Sequence, residues 1–169
     1  SLERSSLTNI EVNFSIERFS LLQQMINGNQ KHVVHLPGNF LPNDEGMPNL
    51  PGISRYIAIP TGANVSLNII DQRTESFSNI DMAPAPRIPF DTEPDPLQYE
   101  ENQIIYSTNA NYPENPVRIS EVKKLRGVDV IILGITPFQY NPVTKELKVL
   151  RDIKLELSFN GGNGRLGEE

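Results

Sequence analysis

Side chains equipped for chemistry are few in this sequence, and their spacing does not favour it. His32 and His35 are its two histidines. They lie in KHVVHL, which predicts a strand, and a spacing of three puts them on opposite faces. Two partly exposed strand histidines are therefore expected, not a metal pair. Asp91, Glu93 and Asp95 supply carboxylates of the kind a glycosidase uses in pairs. They fall in a proline-rich stretch, however, and read equally as solvated loop charge. The absence of cysteine removes disulfides, zinc-thiolate sites and thiol catalysis together. With no nucleophile beside an oriented base, the residues argue against an enzyme and call for neither a cofactor nor a metal.

The elements that would have to position such residues are short strands. In the last third of the chain Leu147, Val149, Ile153, Leu155, Leu157 and Phe159 carry odd numbers, while Lys148, Asp152, Lys154, Glu156 and Ser158 carry even ones. That alternation predicts one long strand with one face buried. Leu150 and Arg151 break it, so either a β-bulge or a twisted strand with one inward arginine is expected. Upstream, Asn141-Pro142 in PFQYNPVTKEL starts a turn and predicts a hairpin. The β-branched run VDVIILGI (128–135) predicts a strand covered on both sides and central in its sheet.

Toward the N-terminus, IEVNFSI alternates through Ile10, Val12, Phe14 and Ile16 as a first strand, and residues 19–26 fit a second strand or a short helical turn. PGNFLPNDEGMPNLPG (37–52) holds too much Gly and Pro for regular structure and reads as a loop or edge wrapping. SRYIAIP (54–60) and NVSLNII (64–70) predict two strands joined as a tight hairpin by Thr61, Gly62 and Ala63, with Val65, Leu67 and Ile69 facing the core. From Met82 to Gln98 the chain reads MAPAPRIPFDTEPDPLQ. Its prolines exclude helix and central strand alike and predict a stiff, extended surface segment, suited to entering a cleft or to crossing between two sheets. No helix of three turns is expected. The whole predicts an all-β fold, an antiparallel β-sandwich or jelly roll over residues 1–159, followed by a glycine-rich tail over 160–169. Arg165 on that tail is an accessible basic residue for a protease, or simply part of a fraying end.

A net charge of -6 and a pI near 5.0 argue against a nucleic-acid partner, whose phosphates need clustered Lys and Arg. No apolar run approaches the roughly 20 residues that span a bilayer, and no leader precedes Ser1, so export would require a signal absent from this sequence.

Three blocks, GMPNLPGISRYIAIP (46–60), YPENPVRISEVKKLRGVDVIILGITPFQYNPVTKEL (112–147) and KVLRDIKLELSF (148–159), resemble the propeptide of the gingipain-type cysteine peptidases, family C25 of clan CD. The family's Gly-x-Pro-x-Leu-Pro element stands here as Gly46, Pro48, Leu50 and Pro51. Its Arg-Gly pair stands as Arg126-Gly127, and its strand ending in Pro-hydrophobic-Gln-Tyr-Asn-Pro as Pro137, Gln139, Tyr140, Asn141 and Pro142. The resemblance implies a β-sandwich pro-domain that precedes a caspase-like catalytic domain, assists its folding and keeps it latent by laying a loop across its cleft until cleaved.

The partner implied is the catalytic domain of its own peptidase, and the route implied is export to the periplasm and then to the cell surface or medium. In the family a basic plug follows an Ala-Pro pair. Ala83-Pro84 is followed here by Arg87 and Ile88, whereas an ungapped count points to Asp91. An arginine plug implies an arginine-preferring partner with a buried carboxylate, and an aspartate plug implies an acid-specific partner with basic pocket groups. Arg165 is the candidate processing site. The competing expectation is a non-inhibitory β-sandwich module of a surface or secretion-associated protein, for instance a carbohydrate binder. The five tyrosines and seven phenylalanines are too scattered to line one sugar-binding face.

Overall fold

A computed structural model of the chain describes residues 8–38, 44–87, 98–162 and 166. Ten strands and one helical turn are formed among these residues: β1 Asn9–Ser15, β2 Ser20–Ile26, β3 Asn29–His35, β4 Ile53–Ala58, β5 Ala63–Phe77, α1 Gln103–Tyr106, β6 Val117–Ile119, β7 Lys123–Leu125, β8 Val128–Ile135, β9 Phe138–Asn141 and β10 Glu146–Gly161. Every pair of these strands is antiparallel. One four-stranded sheet runs β1-β10-β5 with β9 also on β10, a second runs β4-β8-β6 with β7 on β8, and β2-β3 form a separate ribbon.

The two larger sheets face each other as the all-β sandwich expected. Leu133 and Ile135 of β8 and Val117 of β6 pack on Leu150, Ile153 and Leu155 of β10. Ile131 packs on Leu157 and Phe159 further along. Burying each such side chain contributes roughly 1.5–3 kcal/mol. β8 is central in its sheet and largely buried, as its β-branched run demands.

The hairpin of β9 and β10 closes at Pro142–Lys145, where the Asn141 side chain accepts from the Val143 and Thr144 amides at 3.0 and 3.2 Å. Arg126 (φ 51°) and Gly127 (φ 79°) form the two-residue turn between β7 and β8. Both φ values are positive, as the turn that suits strand twist requires. Asn27 (φ 52°) and Gly28 (φ 81°) turn β2 into β3 in the same way.

Three expectations need correcting. First, β4 and β5 are not a hairpin: β4 pairs β8 in one sheet and β5 pairs β10 in the other. The turn between them changes layer because Ile59 and Ala63 are both buried between the sheets. It is fixed by Ile59 donating to the Asp129 carbonyl at 2.9 Å and Gly62 to the Asp129 carboxylate at 2.9 Å. Ile69 of β5 lies at a second register shift and is exposed at 40%, not core-facing.

Second, the odd-numbered residues of β10 do not share one face, because of the two alternatives at Leu150 and Arg151 the β-bulge is the one formed. Leu150 pairs with Thr74 and Asp152 with Arg73, which leaves Arg151 as the extra residue of a bulge. Before it Leu147 and Val149 face one core, and after it Ile153 and Leu155 face another. Third, Met82 to Ala85 is buried rather than on the surface, because Met82, with Ile80, fills the core beneath the β2-β3 ribbon. Residues 103–106 form a single helical turn capped by Asn102, whose side chain accepts from the amides of Ile104 and Ile105.

In the tail, β10 runs on to Gly161, and Leu166 forms a bridge with Pro60.

Candidate functional site

The proline-rich segment enters and leaves through an unusually well held stem. The non-proline residues of 80–85 have both the N–H and the C=O hydrogen-bonded, although the segment is not itself a regular strand. On one side lies β3. The His32 amide donates to the Asp81 carbonyl at 2.7 Å, the Ala83 amide donates to the His32 carbonyl at 2.9 Å, and the Asp81 amide donates to His32 Nδ1 at 2.9 Å. On the other side lies the Gly-x-Pro-x-Leu element. Asn49 donates to Ala83 at 2.9 Å, Ala85 to Met47 at 2.7 Å, and Gly46 to Ala85 at 3.0 Å.

A buried tyrosine and a partly buried one complete the set. Tyr140 hydroxyl donates to the Ile80 carbonyl at 2.7 Å and accepts from the Met82 amide at 3.3 Å, while Tyr106 hydroxyl donates to the Met82 carbonyl at 2.9 Å. The Ile80 amide donates to the Lys145 carbonyl at 2.9 Å.

Beyond the stem, Arg87 donates its amide to the Gln98 carbonyl at 2.8 Å, so the chain leaves and re-enters the described structure through one paired rung. Gly46 ties both sides of that rung: its amide reaches Ala85 before it, and its carbonyl accepts from Asn102 after it at 2.9 Å. Its φ of +81°, and a Cβ that would lie 3.0 Å from the Glu100 carbonyl oxygen, explain why glycine stands here.

Charges bracket the same place. Lys31 Nζ bridges Asp81 at 3.0 Å and Glu101 at 3.2 Å, and Lys145 Nζ reaches Asp81 at 3.3 Å. Burial opposes the charge on Asp81, yet the hydrogen bonds from Lys31 and Lys145 outweigh it and hold the carboxyl below its ordinary range. Burial likewise opposes the charge on Lys31, and its two carboxylate partners raise it nonetheless. Burial, with Asp81 and Glu101 nearby, pushes the Tyr140 hydroxyl up to about 12 and raises Tyr106 as well.

The motif residues divide between this stem and the rest of the fold. Gly46, Pro48 and Leu50 are at the stem: Pro48 bridges Pro84, and Leu50 is buried in the stem core, with Pro51 next in the chain. Tyr140 grips the stem itself. Gln139 donates to the Pro113 carbonyl at 2.9 Å, Asn141 donates to the Asn109 side chain at 2.9 Å while capping its own turn, and Pro142 is buried in that turn. Arg126 and Gly127 sit apart, in the β7-β8 turn.

Arg87 is half-buried at the rung. Ile88, Asp91 and Arg165 lie outside the described residues, as do Glu93 and Asp95. Sequence reasoning missed His32, Tyr106, Lys31 and Lys145 as holders of the stem. Only KHVVHL carried a local signal, and that signal was for a strand rather than for a partner.

The arrangement binds and presents a segment; it gathers no nucleophile and base among the described residues. The class it defines is a β-sandwich with a braced stem that ends in the Arg87 to Gln98 rung. Residues 1–166 match the Propeptide_C25 family model, and the chain belongs to that family. It is thus a propeptide domain of a C25 peptidase, non-catalytic, with no catalytic domain among its 169 residues.

It is 25% identical over 165 residues to Lys-gingipain HG66 of Porphyromonas gingivalis, covering 94% of this chain and 10% of that protein. It is 27% identical over 124 residues to Gingipain R1 of the same organism, covering 73% of this chain and 12% of that protein. The chain therefore spans about a tenth of the length of these relatives. Among solved structures it is similar to a complex of the Porphyromonas gingivalis RgpB pro- and mature domains, with a TM-score of 0.82, 21% identity, and 96% of this chain and 84% of that one covered. It is also similar to a structure addressing the zymogenic latency of gingipain K, with a TM-score of 0.73, 23% identity, and 93% and 89% covered. The antiparallel all-β fold is common to all three.

Proposed function

We propose that this chain is the latency-maintaining pro-domain of its own gingipain-like cysteine peptidase. It assists folding of the catalytic domain and then occupies the active-site cleft with its proline-rich loop until cleaved. The observation that carries this reading is the stem. The two ends of the loop are held by the Arg87 to Gln98 rung, and the non-proline residues of the approach have both backbone groups hydrogen-bonded, so these ends lose little further entropy on binding. Arg87 is the plug, since its backbone is fixed by that rung and it follows the anchored Ala83-Pro84 pair. Asp91 is the second reading, on the ungapped count. Processing follows Arg165, with Leu166 beyond it anchored at Pro60.

The gingipain relatives and the zymogen structures support the partner, the cognate catalytic domain, and support export through the periplasm to the cell surface or medium. The test is inhibition of that catalytic domain by the isolated chain, with Arg87→Ala and Asp91→Ala beside it. Inhibition lost in one variant names the plug. Intact, folded chain that does not inhibit at all overturns the reading and leaves a non-inhibitory module.

A further inference from the structure

The Tyr140 side chain stands in for a strand. In a parallel ladder, the residue opposite position i donates its N–H to the carbonyl of i−1 and accepts from the amide of i+1. His32 does this for Met82 with its backbone, bonding the Asp81 carbonyl and the Ala83 amide. On the opposite edge of the stem a comparable pair of groups, the Ile80 carbonyl and the Met82 amide, is taken by a single hydroxyl, that of Tyr140, at 2.7 and 3.3 Å.

Tyr140 is fully buried, and its backbone is itself locked. It exchanges both hydrogen bonds with Tyr112, at 2.9 and 2.8 Å, and it pairs with Leu147 in the β9-β10 hairpin. A hydroxyl fixed in this way admits one register of the stem. A slip by one residue would face it with groups pointing the other way.

We infer that Tyr140 is a positioning residue for the inhibitory loop: its hydroxyl sets the register in which the stem delivers Arg87, and hence the fit of the loop in the partner's cleft. This rests on the function proposed above. It adds that the Gln-Tyr-Asn-Pro corner, whose tyrosine bonds the stem at Ile80 and Met82 rather than at the loop, controls inhibition from a distance.

The experiment removes only the hydroxyl, with Tyr140→Phe, and compares it with Ile131→Val. The second variant lies in the sandwich core away from the stem and is expected to lose stability without touching the register. Inhibition of the cognate catalytic domain is measured well below both melting temperatures, together with amide exchange at Met82. The expected result is an inhibition constant raised about tenfold or more in Tyr140→Phe, the equivalent of one lost hydrogen-bond interaction on the affinity scale. Exchange at Met82 should quicken, and Ile131→Val should inhibit like the parent. Equal weakening in both variants would reduce Tyr140 to a structural residue and overturn the inference. So would an unchanged inhibition constant in Tyr140→Phe beside a parent that inhibits. If the parent does not inhibit, the proposed function falls, and an unchanged exchange rate at Met82 would then overturn the hold of the hydroxyl on the stem separately.

Discussion

Replacing Gly46 by alanine probes whether the Gly-x-Pro-x-Leu element braces the loop by close approach or merely by turning the chain. Two costs are separable. The left-handed φ of +81° costs an L-residue about 1–2 kcal/mol, offset by about 0.4–1 kcal/mol because alanine narrows the unfolded ensemble. The added Cβ would also lie 3.0 Å from the Glu100 carbonyl oxygen and 3.3 Å from the Asn102 amide nitrogen. Both are backbone atoms and cannot swing aside, so the bond from Asn102 to the Gly46 carbonyl must stretch, a further loss of roughly 0.5–1.5 kcal/mol.

Gly28 supplies the control, for it has the same φ of +81° with nothing within 4 Å of the place an alanine methyl would take. Gly28→Ala should therefore cost about 1 kcal/mol and Gly46→Ala about 1.5–2.5 kcal/mol, read by denaturant titration at constant m. For a chain of this size the second corresponds to a fall in melting temperature on the order of 3–10 °C. Equal losses in the two variants would refute the close-approach argument and leave only the turn.

Two pH predictions concern the same site. The folded value of Asp81 is depressed, so its pairing with Lys31 and Lys145 contributes stability above the ordinary 3.8 that is lost as the pH falls through the folded value. Asp81→Asn should flatten the acid fall in melting temperature, and an unchanged acid slope would refute the assignment. The folded value of Tyr140 is raised from 10.0 to about 12, so its contribution is complete below pH 10 and is lost as the pH climbs through about 12. This amounts to about 2–3 kcal/mol at 1.36 kcal/mol per unit. Burial also raises Tyr106 and Tyr112, so a large part of the phenolate absorbance should appear only with alkaline unfolding. Complete tyrosine ionisation near pH 10 in a chain of native circular dichroism would contradict the burial of these hydroxyls.

What the sequence made legible was local. The Asn141-Pro142 corner, the β-branched core of β8 and the burial of the odd residues of β10 follow from turn chemistry and side-chain period, and the strands form where those signals lie. Asn27-Gly28 is a further strong local signal. It turns β2 into β3, and that pairing settles as a strand the residues 20–26 that alternation alone left open between strand and helical turn. The stem was illegible for a different reason. Its segment is rich in proline and alanine, which on composition belongs at the surface, and its burial comes from partners far along the chain: the bond from Tyr140 to Ile80 spans 60 residues, and the one from Asp81 to His32 spans 49. The layer change between β4 and β5 failed in the same way. A short Gly-containing turn fits a hairpin and a crossing between sheets equally well, and only the burial of Ile59 and Ala63 chooses between them.

The bulge at Arg151 shows how the two cores were built from one strand. An uninterrupted β10 with apolar odd positions would bury a single face, leaving the other side of its sheet bare beneath the stem. One extra residue reverses the parity. Leu147 and Val149 then meet Ile80, Met82, Phe138 and Tyr140, while Leu150, Ile153 and Leu155 meet the second sheet. The inserted residue is itself secured, since Arg151 donates to Glu75 at 2.8 Å and lies 4.7 Å over the Phe19 ring, and Phe19 packs edge-on against Phe77 and Phe138. The sandwich and the stem are therefore mechanically joined through β10: whatever fixes the register of β10 on β5 also fixes Leu147 and Val149 beneath Met82. Folding of the sandwich and bracing of the stem thus depend on the same strand.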